Sequence, residues 1–210
     1  MDHQFIIVIS LSLFTIMPHQ SLIDSIEKVL TLTADEKVLL KGSFQTATAK
    51  KKDILLKEAE ITKYSYFVED GLLRMYATDN NGFDHNIQFA MNGWWMSDML
   101  SLLNQTPASF NIEAIEDSRL LTISQPAKET LLQSIPGLNI YFRKLSENAL
   151  AAYQQRFAIN LSLPAQERYG KFCERYPMLI QRLPQKHIAS YIGVTPEFLS
   201  KMLNRPFNQK

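Results

Sequence analysis

The spacing of apolar and polar positions changes twice along this 210-residue chain. Two early stretches, Ser21 to Leu32 and Ala34 to Lys41, repeat apolar residues at helical intervals. From Ser43 to Gln125 the period shortens. Tyr64 to Val68, Leu72 to Ala77, Asn86 to Phe89 and Arg119 to Ile123 alternate or run apolar, and Asp70-Gly71, Asn80-Asn81-Gly82 and Asn92-Gly93 break them. These are antiparallel strands joined by tight turns. Asp79-Asn80-Asn81-Gly82 is the clearest hairpin, because Asn and Gly accept positive φ. About seven or eight such strands predict a sandwich or a jelly-roll barrel.

After Gln125-Pro126 the pattern turns helical and stays so. The longest predicted helix runs from Gly137 to Leu163. Its residues Leu138, Phe142, Leu145, Ala149, Ala152, Ile159 and Leu163 fall near a period of ~3.5, which suits a seam between two helices. Ala149, Ala151 and Ala152 are small enough for backbones to approach. Arg156 interrupts the stripe, and a helix packed on its own barrel would show the same pattern. Pro164 ends this helix and Ala165 to Tyr176 form another.

The segment "HIASYIGVTPEFLSKML", residues 187 to 203, reads as helix, tight turn, helix. Ile188, Ala189 and Ile192 repeat at helical spacing, Gly193 tolerates a left-handed helix end, and Thr195 caps a helix whose first turn accepts Pro196. Ala189 sits where two steeply crossing helices must touch. Leu199, Met202 and Leu203 point inward, leaving Glu197, Ser200, Lys201 and Asn204 outside. This is the pattern of a DNA-binding helix-turn-helix, although an ordinary helical hairpin shares it. In the first reading Glu197 accepts from a cytosine amino group, Lys201 donates to a guanine, and Thr195, Ser200 and Arg205 face phosphates.

Composition narrows the classes. A hydrophobic content of 46% is that of a folded globular protein and excludes disordered and fibrous chains. Net charge is only +1, but Ala165 to Lys210 carry eight Lys and Arg against three acids, or +5, leaving −4 for the remainder. A basic end bearing the helix-turn-helix fits a polyanion partner, as a solvated basic face also would. Cys173 is the single cysteine, which excludes an internal disulfide and a cysteine-rich metal site and fits a reducing cytoplasm. The run FIIVISLSLFTI, residues 5 to 16, is twelve residues long against about 20 for a membrane-spanning helix. With no basic residue before it and no small-x-small site after it, a non-native or misassigned start is expected rather than a signal. No membrane partner is expected.

A small β-barrel, a long helix with a seam and a C-terminal helix-turn-helix, in that order, resemble the Crp/Fnr family of bacterial transcription regulators. The most specific pieces are "YFVEDGLLRMY" (66 to 76), "LPAQERYGKF" (163 to 172) and "QKHIASYIGVTPEFLSKML". The resemblance implies an α+β fold: an uncertain N-terminal extension over 1–20, a double-stranded jelly-roll sensor domain of the cyclic nucleotide-binding type over 21–136, a dimerisation helix over 137–163 and a helix-turn-helix domain over 164–210. It further implies a cytoplasmic homodimer joined through Leu145, Ala149, Ala152 and Ile159, binding double-stranded DNA and RNA polymerase, with a small-molecule effector and no cofactor or metal. Family members that bind cyclic nucleotides carry a Gly-Glu pair and, further on, Arg-Ser. At the same spacing this chain has Ser97-Asp98 and Ala108-Ser109, so a cyclic phosphate would meet an acid without its cation, and cyclic AMP is not expected to bind. Gly93, Trp94, Trp95, Asp98 and Ser109 remain as candidate lining of a different effector pocket, with the barrel core as the other role for the tryptophans. The chain also ends soon after Arg205-Pro206, where the family continues into a β-hairpin wing.

Two other function classes are open. Cupin-type barrels hold catalytic metals with His clusters, but His85 is the only histidine in the barrel region. No G-x-S-x-G elbow, phosphate-binding glycine loop or His-Glu-x-x-His pair is present, so an enzyme is not expected. The other class is a ligand- or protein-binding barrel whose helix-turn-helix does not read DNA.

Overall fold

The computed structural model describes residues 18–204. The apolar run 5–16 and Arg205 therefore lie outside the described residues. Helix α1 (Gln20–Glu27) buries Leu22, Ile23 and Ile26. It stops before the expected Leu32, in a turn where the Val29 amide bonds the Ile26 carbonyl three residues back at 2.9 Å. The chain then extends to Thr33, which caps α2 (Ala34–Ser43): Thr33 Oγ1 accepts from the Glu36 amide at 3.2 Å, and Glu36 Oε2 accepts from the Thr33 amide at 2.8 Å.

Eight strands follow: β1 (Gln45–Ala49), β2 (Ile54–Leu56), β3 (Tyr64–Asp70), β4 (Leu72–Thr78), β5 (Asp84–Met91), β6 (Trp95–Met96), β7 (Asn111–Ala114) and β8 (Ser118–Ser124). They form two antiparallel four-stranded sheets, in the orders β1-β8-β3-β6 and β2-β7-β4-β5. The expected jelly roll is thus two facing sheets, and among the described residues no ladder closes them into a barrel. Val68, Leu73, Met75, Met96, Ile112 and Leu120 pack between them. Gly71 makes the turn from β3 to β4 at φ +114°, and a Cβ there would lie 2.2 Å from Ser118 Oγ, so only glycine fits. That hydroxyl accepts from the Leu72 amide at 3.2 Å.

Helices α4 (Gln125–Ser134) and α5 (Leu138–Ser162) close the first sheet from outside. Leu131, Ile135, Leu138 and Tyr141 join Leu22, Ile26, Phe67 and Leu121 in one core. Helices α6 (Ala165–Arg175), α7 (Pro177–Ile180), α8 (Gln185–Tyr191) and α9 (Pro196–Leu203) complete the chain. They share their core with the outer face of the second sheet: Phe172, Leu179, Ile188, Ala189 and Leu199 pack with Leu72, Phe89 and Ile115.

Candidate nucleic-acid interface and effector region

Helix α8 ends at Gly193, whose φ of +72° lets the Val194 amide reach back to the Ala189 carbonyl at 3.0 Å. The chain is extended at Thr195, whose Oγ1 accepts from the Phe198 amide at 3.2 Å and so caps α9. Ala189 and Leu199 are fully buried where the helices meet, which leaves no room for a larger residue at 189. Glu197 and Lys201 are exposed on α9, Thr195 is exposed at its start, and Ser200 is half-buried with its carbonyl accepting from Asn204. Among the described residues no ion pair joins Glu197 to Lys201, so both remain available to a partner. The sequence reading missed Phe198, which stands 52% exposed on the same helix. Its place next to outward-facing Glu197 was the available signal.

Polar side chains fix α8 to the second sheet. Arg74 on β4 donates to Glu113 at 2.7 Å and to Asp84 at 2.9 Å, and its Nη1 lies 3.4 Å from both Asn86 Oδ1 and His187 Nδ1. Ser190 receives the Asn86 amide at 2.8 Å and donates to the Asp84 carbonyl at 2.6 Å. Burial, reinforced by the positive Arg74, pushes the His187 imidazole down to about 4. Arg182 holds the far end, donating to the Gly71 carbonyl at 2.8 Å and pairing with Glu116 at 2.6 Å.

The candidate effector residues take other roles. Gly93 (φ +83°) forms a turn and donates to the Val68 carbonyl at 2.8 Å. Trp95 packs its ring against Phe44, Phe67 and Phe142, with centroids 6.0, 5.3 and 5.5 Å away, and donates to Tyr141 Oη at 3.0 Å. Trp94 stacks edge-on against Tyr176 at 5.9 Å. Both indoles are engaged in packing, which is the core role that the sequence also allowed for them. Asp98 is 1% exposed. One of its oxygens accepts from the Ser101 amide at 3.1 Å, capping α3 (Met99–Asn104), and the other accepts from the Ser109 amide at 2.9 Å. Asp98 and Ser109 are thus brought together, with both carboxylate oxygens of the acid accepting from backbone amides. Ala108 is buried beside them, its backbone bonded to Glu60 and Ala59 at 2.7 and 2.8 Å.

Along α5 the predicted seam turns toward its own chain. Leu145, Ala152 and Ile159 are half-buried, and Ala152 and Ile159 face a cleft against α6. Only Ala149 of the four is exposed. Arg156 sets this rotation by donating to the carbonyls of Ile87, Asn86 and Tyr191. The most exposed large apolar residues of α5 are Leu150, Phe157 and Leu161, at 59, 68 and 73% exposure. At about 100° of rotation per residue they are centred about 140° around the helix from the predicted stripe. In the single chain the Arg156 bonds thus turn part of the expected seam toward α6, a contact that periodicity does not reveal.

Residues 46–134 match the family pattern of the cyclic nucleotide-binding domain. A solved structure assigned to the Crp/Fnr family, a transcriptional regulator from Eubacterium rectale, is similar over 82% of each chain at 18% identity and TM-score 0.62. The chain has the fold of the Crp/Fnr regulators. FixK2 from Bradyrhizobium japonicum shares that Crp/Fnr-type fold over 76% of this chain and 82% of its own, at 19% identity and TM-score 0.64. CLP from Xanthomonas campestris, described as a c-di-GMP-responsive global regulator, does so over 81% and 90% at 12% identity and TM-score 0.67. No curated protein sequence matches the chain. In this Crp/Fnr-type fold the matched domain runs from β1 through α4, and α5 to α9 lie beyond it. Among the described residues no three His, Cys, Asp or Glu stand together as metal ligands, and no helix is long and apolar enough to cross a membrane. His85 pairs with Asp79 at 3.0 Å on the surface, and Cys173 is a free thiol.

Proposed function

We propose that this protein is a cytoplasmic, homodimeric, sequence-specific DNA-binding transcription regulator, not an enzyme, whose cyclic nucleotide-type domain does not take cyclic AMP. The observation that carries this reading is α9: capped by Thr195 and anchored through Leu199, it presents Glu197 and Lys201 exposed and, among the described residues, without an ion-pair partner. The N-terminal part of such a helix is the part that enters a major groove, where Glu197 suits cytosine and Lys201 suits guanine. Thr195, Ser200 and Arg205 are assigned to backbone phosphates. Two recognition helices on one duplex require two chains, and the exposed Leu150, Phe157 and Leu161 stripe on α5 supports their pairing. RNA polymerase is a further partner in this reading, and the effector is a small molecule other than cyclic AMP.

Selection of bound fragments from a genomic pool tests the reading and supplies the operator. On that operator Lys201→Ala is expected to cost about 1–3 kcal/mol and to relax preference at one base pair per half-site. Arg205→Ala is expected to weaken all sequences alike and lower the salt slope by about one. If Lys201→Ala leaves affinity and base preference intact at fixed salt, α9 does not read DNA, and a binding domain without DNA readout is the better description.

A further inference from the structure

Where α5 passes α6 and α8, a cleft of about 40 Å³ opens among Arg156, Arg168, Lys171, Arg175 and Tyr191. A single water needs roughly 10–15 Å³ by this measure, so the cleft has room for a tetrahedral oxyanion and not for a nucleobase. Four cations from two helices converge here. The one carboxylate paired with any of them among the described residues is Glu174, which bonds Lys171 at 2.9 Å on the solvent side.

Arg156 is the deepest of the four. Its guanidinium lies 3.7 Å over the Tyr191 ring and, among the described residues, is bonded to backbone carbonyls alone, while its Nε is buried without a partner. Carbonyl dipoles satisfy hydrogens but do not cancel a unit charge taken out of water. Burial accordingly pushes Arg156 below its ordinary range. Arg168 repeats the pattern on α6: its Nε is buried and unpartnered, and its Nη1 lies 3.5 Å from where a Cβ on Gly193 would stand. The side chain therefore runs beside the turn of the helix-turn-helix. Arg175 reaches Gln155 and so bridges α6 to α5. A neutral amide there leaves its charge uncompensated as well.

We propose that this cleft binds the phosphate group of a small phosphorylated molecule, held by Arg156 and Arg168 with Lys171 and Arg175 at the mouth, and that occupancy ties the helix-turn-helix turn to α5. The terminal nitrogens of Arg156 already bond carbonyls, so what Arg156 and Arg168 each offer a tetrahedral oxyanion is an Nε–H without a partner among the described residues, which suits a charge-assisted hydrogen bond to a phosphate oxygen. The carbon skeleton of the ligand stays at the open side, against Ile159 and Tyr176. The final clause of the proposal rests on the regulator reading, whereas phosphate binding does not.

The test uses the full-length protein without DNA. Inorganic phosphate and glycerol 3-phosphate are titrated by calorimetry and thermal shift, with chloride at equal ionic strength as the control. Saturable binding at one site per chain is expected, and Arg168→Gln is expected to weaken it about tenfold or more at unchanged circular dichroism. Lys171→Gln, which changes an exposed side chain and leaves the fold alone, is expected to weaken it less and in a salt-dependent way. Equal stabilisation by phosphate and chloride, or unchanged binding by Arg168→Gln, overturns the proposal. A gel shift with the selected operator separates the two readings. Phosphate binding without any DNA binding leaves the site standing and removes the regulator. Weaker DNA binding by Arg168→Gln with no phosphate binding by the free protein assigns these cations to the DNA backbone and overturns the site.

Discussion

Replacing Arg74 by methionine removes a charge that sits at 6% exposure between the sheet and the helix-turn-helix. In the folded protein its guanidinium bonds Glu113 and Asp84, contacts Asn86 and His187, and lies 3.8 Å over the Tyr76 ring. Methionine keeps most of the stem but leaves two carboxylates without their cation. Breaking a buried pair in this way costs about 3–5 kcal/mol. Glu113 is 15% exposed, but Asp84 at 36% recovers much of its hydration, which places the expected loss near ~3 kcal/mol. Against a total stability of about 5–15 kcal/mol this is a large fraction. Urea titration followed by Trp94 and Trp95 fluorescence would show a midpoint lower by ~1 M or more, at a slope of about 1–3 kcal/mol/M. Adding Glu113→Gln in the Arg74→Met background should cost less than it does alone, because one of the stranded carboxylates is then neutral. A loss for Arg74→Met below ~1 kcal/mol, the worth of an exposed ion pair, would refute the view that this network holds the two parts together.

On α5, Phe157→Glu should give monomers by light scattering, whereas Ala152→Glu, facing α6 of its own chain, should leave the mass unchanged; the reverse pattern would place the seam on the originally predicted face. His187 carries a pH dependence. Its folded value of about 4 lies below the ordinary 6.5, so the unfolded chain binds the proton more readily and the native state loses stability as pH falls from about 6.5 toward 4. Above that window its contribution is fully present. Arg74, Lys186 and Asp84 face the ring, and His187→Gln should flatten the fall in urea midpoint between pH 7 and 5; an equally steep fall in the variant would assign it to other groups. Calorimetry with cyclic AMP should show no binding, since Ala108 offers no cation and Asp98 is committed to the Ser101 and Ser109 amides, and a dissociation constant in the micromolar range or tighter would refute this.

Local chemistry was legible in the sequence because its causes lie within a few residues. Thr195 and Pro196 begin α9, and Gly193 takes the left-handed turn. Asp79 to Gly82 turn the chain between β4 and β5, and the helix–strand–helix order follows from periodicity. These features specify the fold without reference to distant residues. The rotation of α5 was not legible, because the Arg156 that interrupts its stripe finds its partners about seventy residues away on β5, and only the packed sheets bring those carbonyls within reach. The backbone partners of Asp98 were not legible for the same reason. An acid at a ligand-like spacing and an acid that caps a helix have the same one-letter code, and the Ser109 amide that claims its second oxygen arrives only when α3 and β7 are placed. The sequence by itself determined which segments are helices and strands and that the chain ends in a helix-turn-helix pattern. The tertiary structure alone decided which faces are spent inside the molecule and that Nε of Arg156 and of Arg168 is buried without a hydrogen-bond partner among the described residues.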